Sequence, residues 1–125
     1  MNNKVYTIKK GEKFPILIKL KNFDEDAPID LSNSTIRIIF KDELTDCLNT
    51  LEKTITETSD IDKDGKIISP TEGQVVFRLN DNDYKKFIVE RVYYMTIIWD
   101  KPNENFSKVI SSNGQEYLKF IVCHP

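Results

Sequence analysis

Val89-Glu90-Arg91-Val92-Tyr93-Tyr94-Met95-Thr96-Ile97-Ile98-Trp99-Asp100 is the longest apolar-rich run of the chain. Tyr93, Met95, Ile97 and Trp99 form one row, and Val92, Tyr94, Thr96, Ile98 and Asp100 form the other. That period of two belongs to a β-strand, whose successive side chains point to opposite faces. Both rows are largely apolar, which predicts a central strand covered on both sides. The other reading is that the face carrying Tyr94 and Ile98 meets another protein.

Working outward, the same period recurs in shorter runs. Downstream, the turn-rich 101–105 precedes a return strand over 106–110. Ser111-Ser112-Asn113-Gly114 turns again, and Tyr117, Lys119 and Ile121 alternate with Leu118, Phe120 and Val122 in a last strand. Upstream, Val75, Phe77 and Leu79 alternate with Val76, Arg78 and Asn80. Ile36, Ile38 and Phe40 alternate with Arg37, Ile39 and Lys41. Phe14, Ile16, Ile18 and Leu20 alternate with Pro15, Leu17, Lys19 and Lys21. Val5 to Ile8 reads as a short first strand, with Gly11-Glu12 turning into the second. Residues 42–58 have approximate helical spacing at Leu44, Cys47, Leu48, Leu51 and Ile55, but their threonines suit an edge strand near 51–56. Asn80-Asp81-Asn82-Asp83 ahead of Tyr84 reads as a capped single helical turn. About seven short strands with helix only in a connection predict one domain over residues 1–125, an antiparallel β-sandwich.

Composition narrows the chemistry. The 125 residues are 39% hydrophobic, 10% aromatic and 30% charged, with net charge −2. An acidic-leaning balance argues against a dedicated nucleic-acid binder. A single histidine, His124, argues against Ser-His-Asp or Cys-His chemistry and against a multi-histidine metal centre. No apolar run is long enough to cross a membrane. The first residues lack the apolar core of a secretory signal, which predicts synthesis in a reducing cytoplasm. There Cys47 and Cys123, 76 positions apart, read as free thiols, with a disulfide as the other reading. Charge is unevenly placed: residues 1–23 carry six lysines and one glutamate, whereas residues 24–64 carry twelve acids and four bases. Such polarity suits head-to-tail stacking or docking on a charged neighbour, but more simply reflects solvated strand faces and acidic loops that segregate along the sequence and that the fold interleaves.

Each candidate site has a plain structural counterpart. Asp60-Ile61-Asp62-Lys63-Asp64-Gly65 matches the opening of a calcium loop, but position 12 is Thr71 rather than the bidentate glutamate. Asp-Gly between Ile61 and Ile67 is equally a hairpin turn. Asp24-Glu25-Asp26 are consecutive loop acids, which usually repel and solvate. Ser111-Ser112 lacks a histidine base, and Gly11, Gly65, Gly73 and Gly114 are too scattered for a phosphate-binding loop. Lys9, Lys10 and Lys13 with Tyr6 and Phe14 form a basic-aromatic cluster, whose lysines more simply guard sheet edges. Trp99 reads either as core or as a sugar-binding platform. No catalytic, cofactor-binding or metal-binding residue is assigned.

Gly11-Glu12-Lys13-Phe14-Pro15-Ile16, a charged turn, Ala27-Pro28-Ile29-Asp30-Leu31 and Ser34-Thr35-Ile36-Arg37-Ile38-Ile39-Phe40-Lys41 follow one another in an order that resembles a known family. It is similar to the immunoglobulin-like N-terminal domain of phage baseplate upper proteins and related prophage tail proteins. Asp64-Gly65-Lys66, residues 73–79 and Val92-Tyr93-Tyr94 resemble the later strands of that family. Ala27 departs from it, standing where the family usually has a turn glycine. The resemblance implies an immunoglobulin-like sandwich and a non-enzymatic structural role in a tail, baseplate or capsid-decorating position of a virion. Its implied partners are other virion proteins or further copies of the chain, not nucleic acid or membrane, and it implies no cofactor. The alternative function is a carbohydrate- or cell-surface-binding module on the same sandwich.

Overall fold

The computed structural model describes residues 5–22, 26–43, 48–102, 107–110 and 117–125. In chain order the strands are β1 (Val5–Lys9), β2 (Ile16–Lys19), β3 (Lys21–Asn22), β4 (Ala27–Pro28), β5 (Thr35–Lys41), β6 (Leu51–Ile55), β7 (Gly65–Ser69), β8 (Gln74–Phe77), β9 (Val92–Asp100), β10 (Ser107–Ile110) and β11 (Leu118–Cys123). One short helix, α1 (Asp81–Tyr84), links β8 to β9, and a 3-10 turn at Pro70–Glu72 links β7 to β8. The larger sheet runs β1-β11-β9-β5-β6, with β10 also on β9. Facing it is a three-stranded sheet, β2-β8-β7, and β3 and β4 form a separate two-stranded ribbon. This strand order is that of an immunoglobulin-like sandwich. The expected antiparallel pairing holds throughout except between β1 and β11, which run parallel.

The longest run of the sequence occupies the centre of the larger sheet. β9 pairs with β5 on one side, Thr35 opposite Asp100 through Lys41 opposite Tyr94. Its other side is shared. Ile110 lies opposite Ile97, and Leu118 lies opposite Met95. The return strand and the last strand therefore run along one edge of β9. The expected turn at Ser111-Ser112 lies outside the described residues, as do Cys47, Asp24, Glu25 and Phe106.

Inner rows make the core. Tyr93, Met95 and Ile97 of β9, Ile36, Ile38 and Phe40 of β5, and Phe120 and Val122 of β11 meet Ile16, Ile18, Ile67, Val75 and Phe77 of the smaller sheet. Phe40 is fully buried, with ring centroids 4.9 Å from Phe120, 5.3 Å from Phe87 and 6.2 Å from Phe77. Burying a side chain of that size contributes about 2–3 kcal/mol. The Tyr93 hydroxyl accepts the Ile88 N–H at 2.7 Å, pinning the entry of β9 in the manner of a tyrosine corner. The capped turn forms as expected. Asn80 Oδ1 accepts the Asp83 N–H, and Asp83 Oδ2 accepts the Asn80 N–H, each at 2.9 Å.

Two expectations need correction. Phe14 is neither in the strand nor in the core: it is half exposed, and β2 begins only after Pro15, which offers no N–H to a ladder. Among the described residues, no further layer covers the outer row of β9. Val92, Tyr94, Thr96 and Ile98 remain half-buried, flanked on the same face by neighbours within the sheet rather than by a further layer.

Candidate interaction site

The two sheets differ in width, so their margins cannot both close in the same way. On the β6–β7 side, the Ile67 N–H donates to the Thr56 carbonyl at 3.0 Å and ties one sheet to the other. Lys53 stands between Leu51 and Ile55 in the inner row of β6, and its side chain is 2% exposed. Its ammonium pairs with Asp83 of α1 and, at 2.9 Å, with Asp64 of the turn before β7. Gly65 completes this margin. Its φ is +133°, and a Cβ there would lie 2.1 Å from the Val76 carbonyl oxygen, so only glycine allows β7 so close to β8.

The β1–β2 side is open. The larger sheet extends past β2 toward β1, and among the described residues no strand of the smaller sheet lies opposite this overhang. Tyr6 points inward beside Phe120, stacked at 5.8 Å between centroids, yet stays 37% exposed. A cavity of about 190 Å³ runs along this margin, lined by Ile16, Leu17, Ile18 and Lys19 of β2 together with Tyr6, Phe77, Met95, Leu118 and Phe120. Ile16 and Ile18 point into the core, whereas Leu17 and Lys19 point out. All four border the cavity, so it follows the backbone edge of β2 rather than either face. Leu17 is half exposed.

That edge is unpaired among the described residues. Leu20 donates its N–H to the Gly73 carbonyl at 2.8 Å, on the side of β8. Alternation along the strand gives Ile18 and Ile16 the same side and turns the N–H and C=O groups of Leu17 and Lys19 outward. Pairing continues from β2 only to β8. Chemically, the margin offers apolar contact to side chains and backbone hydrogen bonds to an extended chain.

The other sequence candidates go elsewhere. Asp64 is engaged by Lys53, and Asp60 Oδ1 accepts the Asp62 N–H at 2.9 Å within its own turn. Among the described residues, no group of three or more His, Cys, Asp or Glu side chains is placed to hold a metal ion. Trp99 packs on the core, donates Nε1–H to Ser34 Oγ at 2.8 Å, and has Lys101 Nζ 4.8 Å from its ring centroid. Its ring is thus engaged rather than laid open as a sugar platform. Of the basic-aromatic cluster, Lys13 pairs with Asp81 at 3.3 Å and Tyr6 turns into the open margin. Cys123 is a half-buried free thiol. On the outer face, Arg37 forks onto Asp100 at 2.7 and 3.2 Å, and Tyr94 meets Tyr117 edge-on at 5.4 Å. The Tyr94–Ile98 row is therefore partly covered by its own sheet. No helix among the described residues is long and apolar enough to cross a membrane.

Sequence reasoning missed the β2 edge and Lys53. The first had a signal in Leu17, the apolar exception in an otherwise polar outer row. The second had one in a lysine standing in register with Leu51 and Ile55. No protein-family model matches the chain, and no curated protein matches it.

Proposed function

We propose that the chain is a non-enzymatic structural component of a phage or prophage particle, in a tail, baseplate or capsid-decorating position, acting through protein–protein assembly. The observation that carries this reading is the unclosed β1–β2 margin. An apolar cavity bordered by a strand edge unpaired among the described residues suits docking on another polypeptide. The likeness of the strand and turn order to phage baseplate upper domains supports placing that assembly in a virion. A particle preparation from the phage or induced prophage that encodes the chain provides the test. Recovery of the chain in purified particles at a fixed ratio to the major tail or capsid protein supports the reading. Recovery only in the free protein fraction, with particles complete without it, overturns it.

A further inference from the structure

The open margin has a definite chemistry, and from it we infer that β2 receives an added β-strand from an acidic-flanked, alternating apolar segment of another protein. The inference rests on the assembly reading and names the partner of its site. Geometry comes first. The smaller sheet is three strands wide against a broader opposing sheet, and among the described residues no strand lies on the outer side of β2. One strand added there, about 4.8 Å from β2, would pair with the outward N–H and C=O groups of Leu17 and Lys19. Its alternate side chains would enter the 190 Å³ cavity and cover Tyr6, Leu118 and Phe120.

Charge selects the occupant. Lys19 borders the cavity, and Lys10, on the same side of the chain as Tyr6 and Ile8, stands exposed just past the end of β1. Neither has an ion-pair partner among the described residues, whereas Lys13 and Lys21 are held by Asp81 and Asp26. A second copy adding its own β2 edge in parallel register would set Lys19 beside Lys19. The lysines thus oppose self-pairing, which is their usual role at a free edge. A segment with acids at its ends converts the same charges into attraction.

The test uses two synthetic peptides, Asp-Val-Thr-Val-Thr-Val-Asp and the same sequence with lysine at both ends, added at up to millimolar concentration to the isotope-labelled chain. Expected is slowed amide exchange at Leu17 and Lys19 with the acidic peptide, and affinity about tenfold above that of the basic peptide, as two or three exposed ion pairs would give. Leu17→Pro removes an outward N–H that β8 does not use, and it should abolish the protection while the β8 ladder remains. Lys10→Glu with Lys19→Glu leaves the backbone untouched and should reverse the peptide preference even if the proline variant fails to fold. Absence of protection at Leu17 and Lys19, equal affinity for the two peptides, or a dimer in light scattering that Leu17→Pro dissolves would each overturn the inference. Particle incorporation unaltered in a folded Leu17→Pro chain would overturn strand addition and leave assembly standing. A chain missing from particles defeats the assembly reading whatever the peptides do.

Discussion

At the β6–β7 margin, Lys53 is buried against Asp83 and Asp64, and Ile67 is hydrogen-bonded across to Thr56. At the β1–β2 margin, Tyr6 and Leu17 are exposed beside an equally exposed Lys19. Charge is inside where the sandwich closes and outside where it does not, with apolar surface distributed the other way. The arrangement follows from what each margin must satisfy. A sheet edge closed by its own chain can bury polar groups, because their partners are fixed in place. An edge left open has to stay soluble by itself and still hold apolar surface for a partner, and flanking lysines meet both requirements.

The largest expected effect breaks the closed margin. Lys53→Ala leaves the carboxylate of Asp83, itself buried, without its cation, and the cost should be about 3–5 kcal/mol in urea unfolding. Asp64 is half exposed and can recover water, so its share is the smaller one. Lys53→Met with Asp83→Asn removes both charges together and should restore most of the loss. If Lys53→Ala costs less than 1 kcal/mol, the ion pairs do not hold this margin and the contrast between the two sides fails.

That contrast was only half legible in the sequence. The period of two placed the inner rows of β5, β8 and β9 correctly, since alternation reports a buried face whatever the partner strand is. Asn80 and Asp83 announced the helical turn because capping is local. Pairing was not local and stayed hidden. The parallel match of Val5 with Lys119 joins residues 114 positions apart, and no short-range pattern encodes it. Lys53 looked like an outward residue by type, and only the positions of Asp83 and Asp64 make its burial tolerable. The free edge of β2 depends on what is not beside it, which a single sequence cannot display. The outer row of β9 misled for a related reason: the lateral cover comes from Arg37 of β5, which forks onto Asp100, and from Tyr117 just ahead of β11, both distant in sequence.

A middle-sized effect tests whether the two margins are linked. Tyr84 lies on α1 next to Asp83, and its hydroxyl donates to the Glu12 carbonyl in the loop that leads to β2, at 2.5 Å. Burial, and then the negative charge of Glu12, push its phenol up to about 12 from the ordinary value of 10.0. The unfolded chain releases that proton near pH 10, while the folded chain keeps it to about 12. Between those values the unfolded state binds fewer protons, so the stabilisation present below pH 10 is lost as pH rises through 12. Tyr84→Phe should cost about 1 kcal/mol at pH 8 through the missing hydrogen bond, and it should flatten the fall in stability between pH 10 and 12 by roughly 2 kcal/mol. An identical alkaline slope in the wild type and the variant would separate Tyr84 from that transition.

The smallest effect on stability belongs to the open margin, and its smallness carries the meaning. Leu17 is 50% exposed, so much of its side chain is already in water when the domain is folded. Leu17→Ser should therefore move the urea midpoint by no more than about 0.5 kcal/mol equivalent, as for an ordinary surface position. A partner covering the edge would bury that side chain in full, and the same substitution should then weaken association by about tenfold. Folding and docking energies separate at this residue because the fold leaves it half wet. At Lys53 they cannot separate, since the charge is already buried in the isolated chain. A loss above 1 kcal/mol from Leu17→Ser in the free domain would mean that the margin is packed in solution, and the two sides of the sandwich would then differ in chemistry but not in closure.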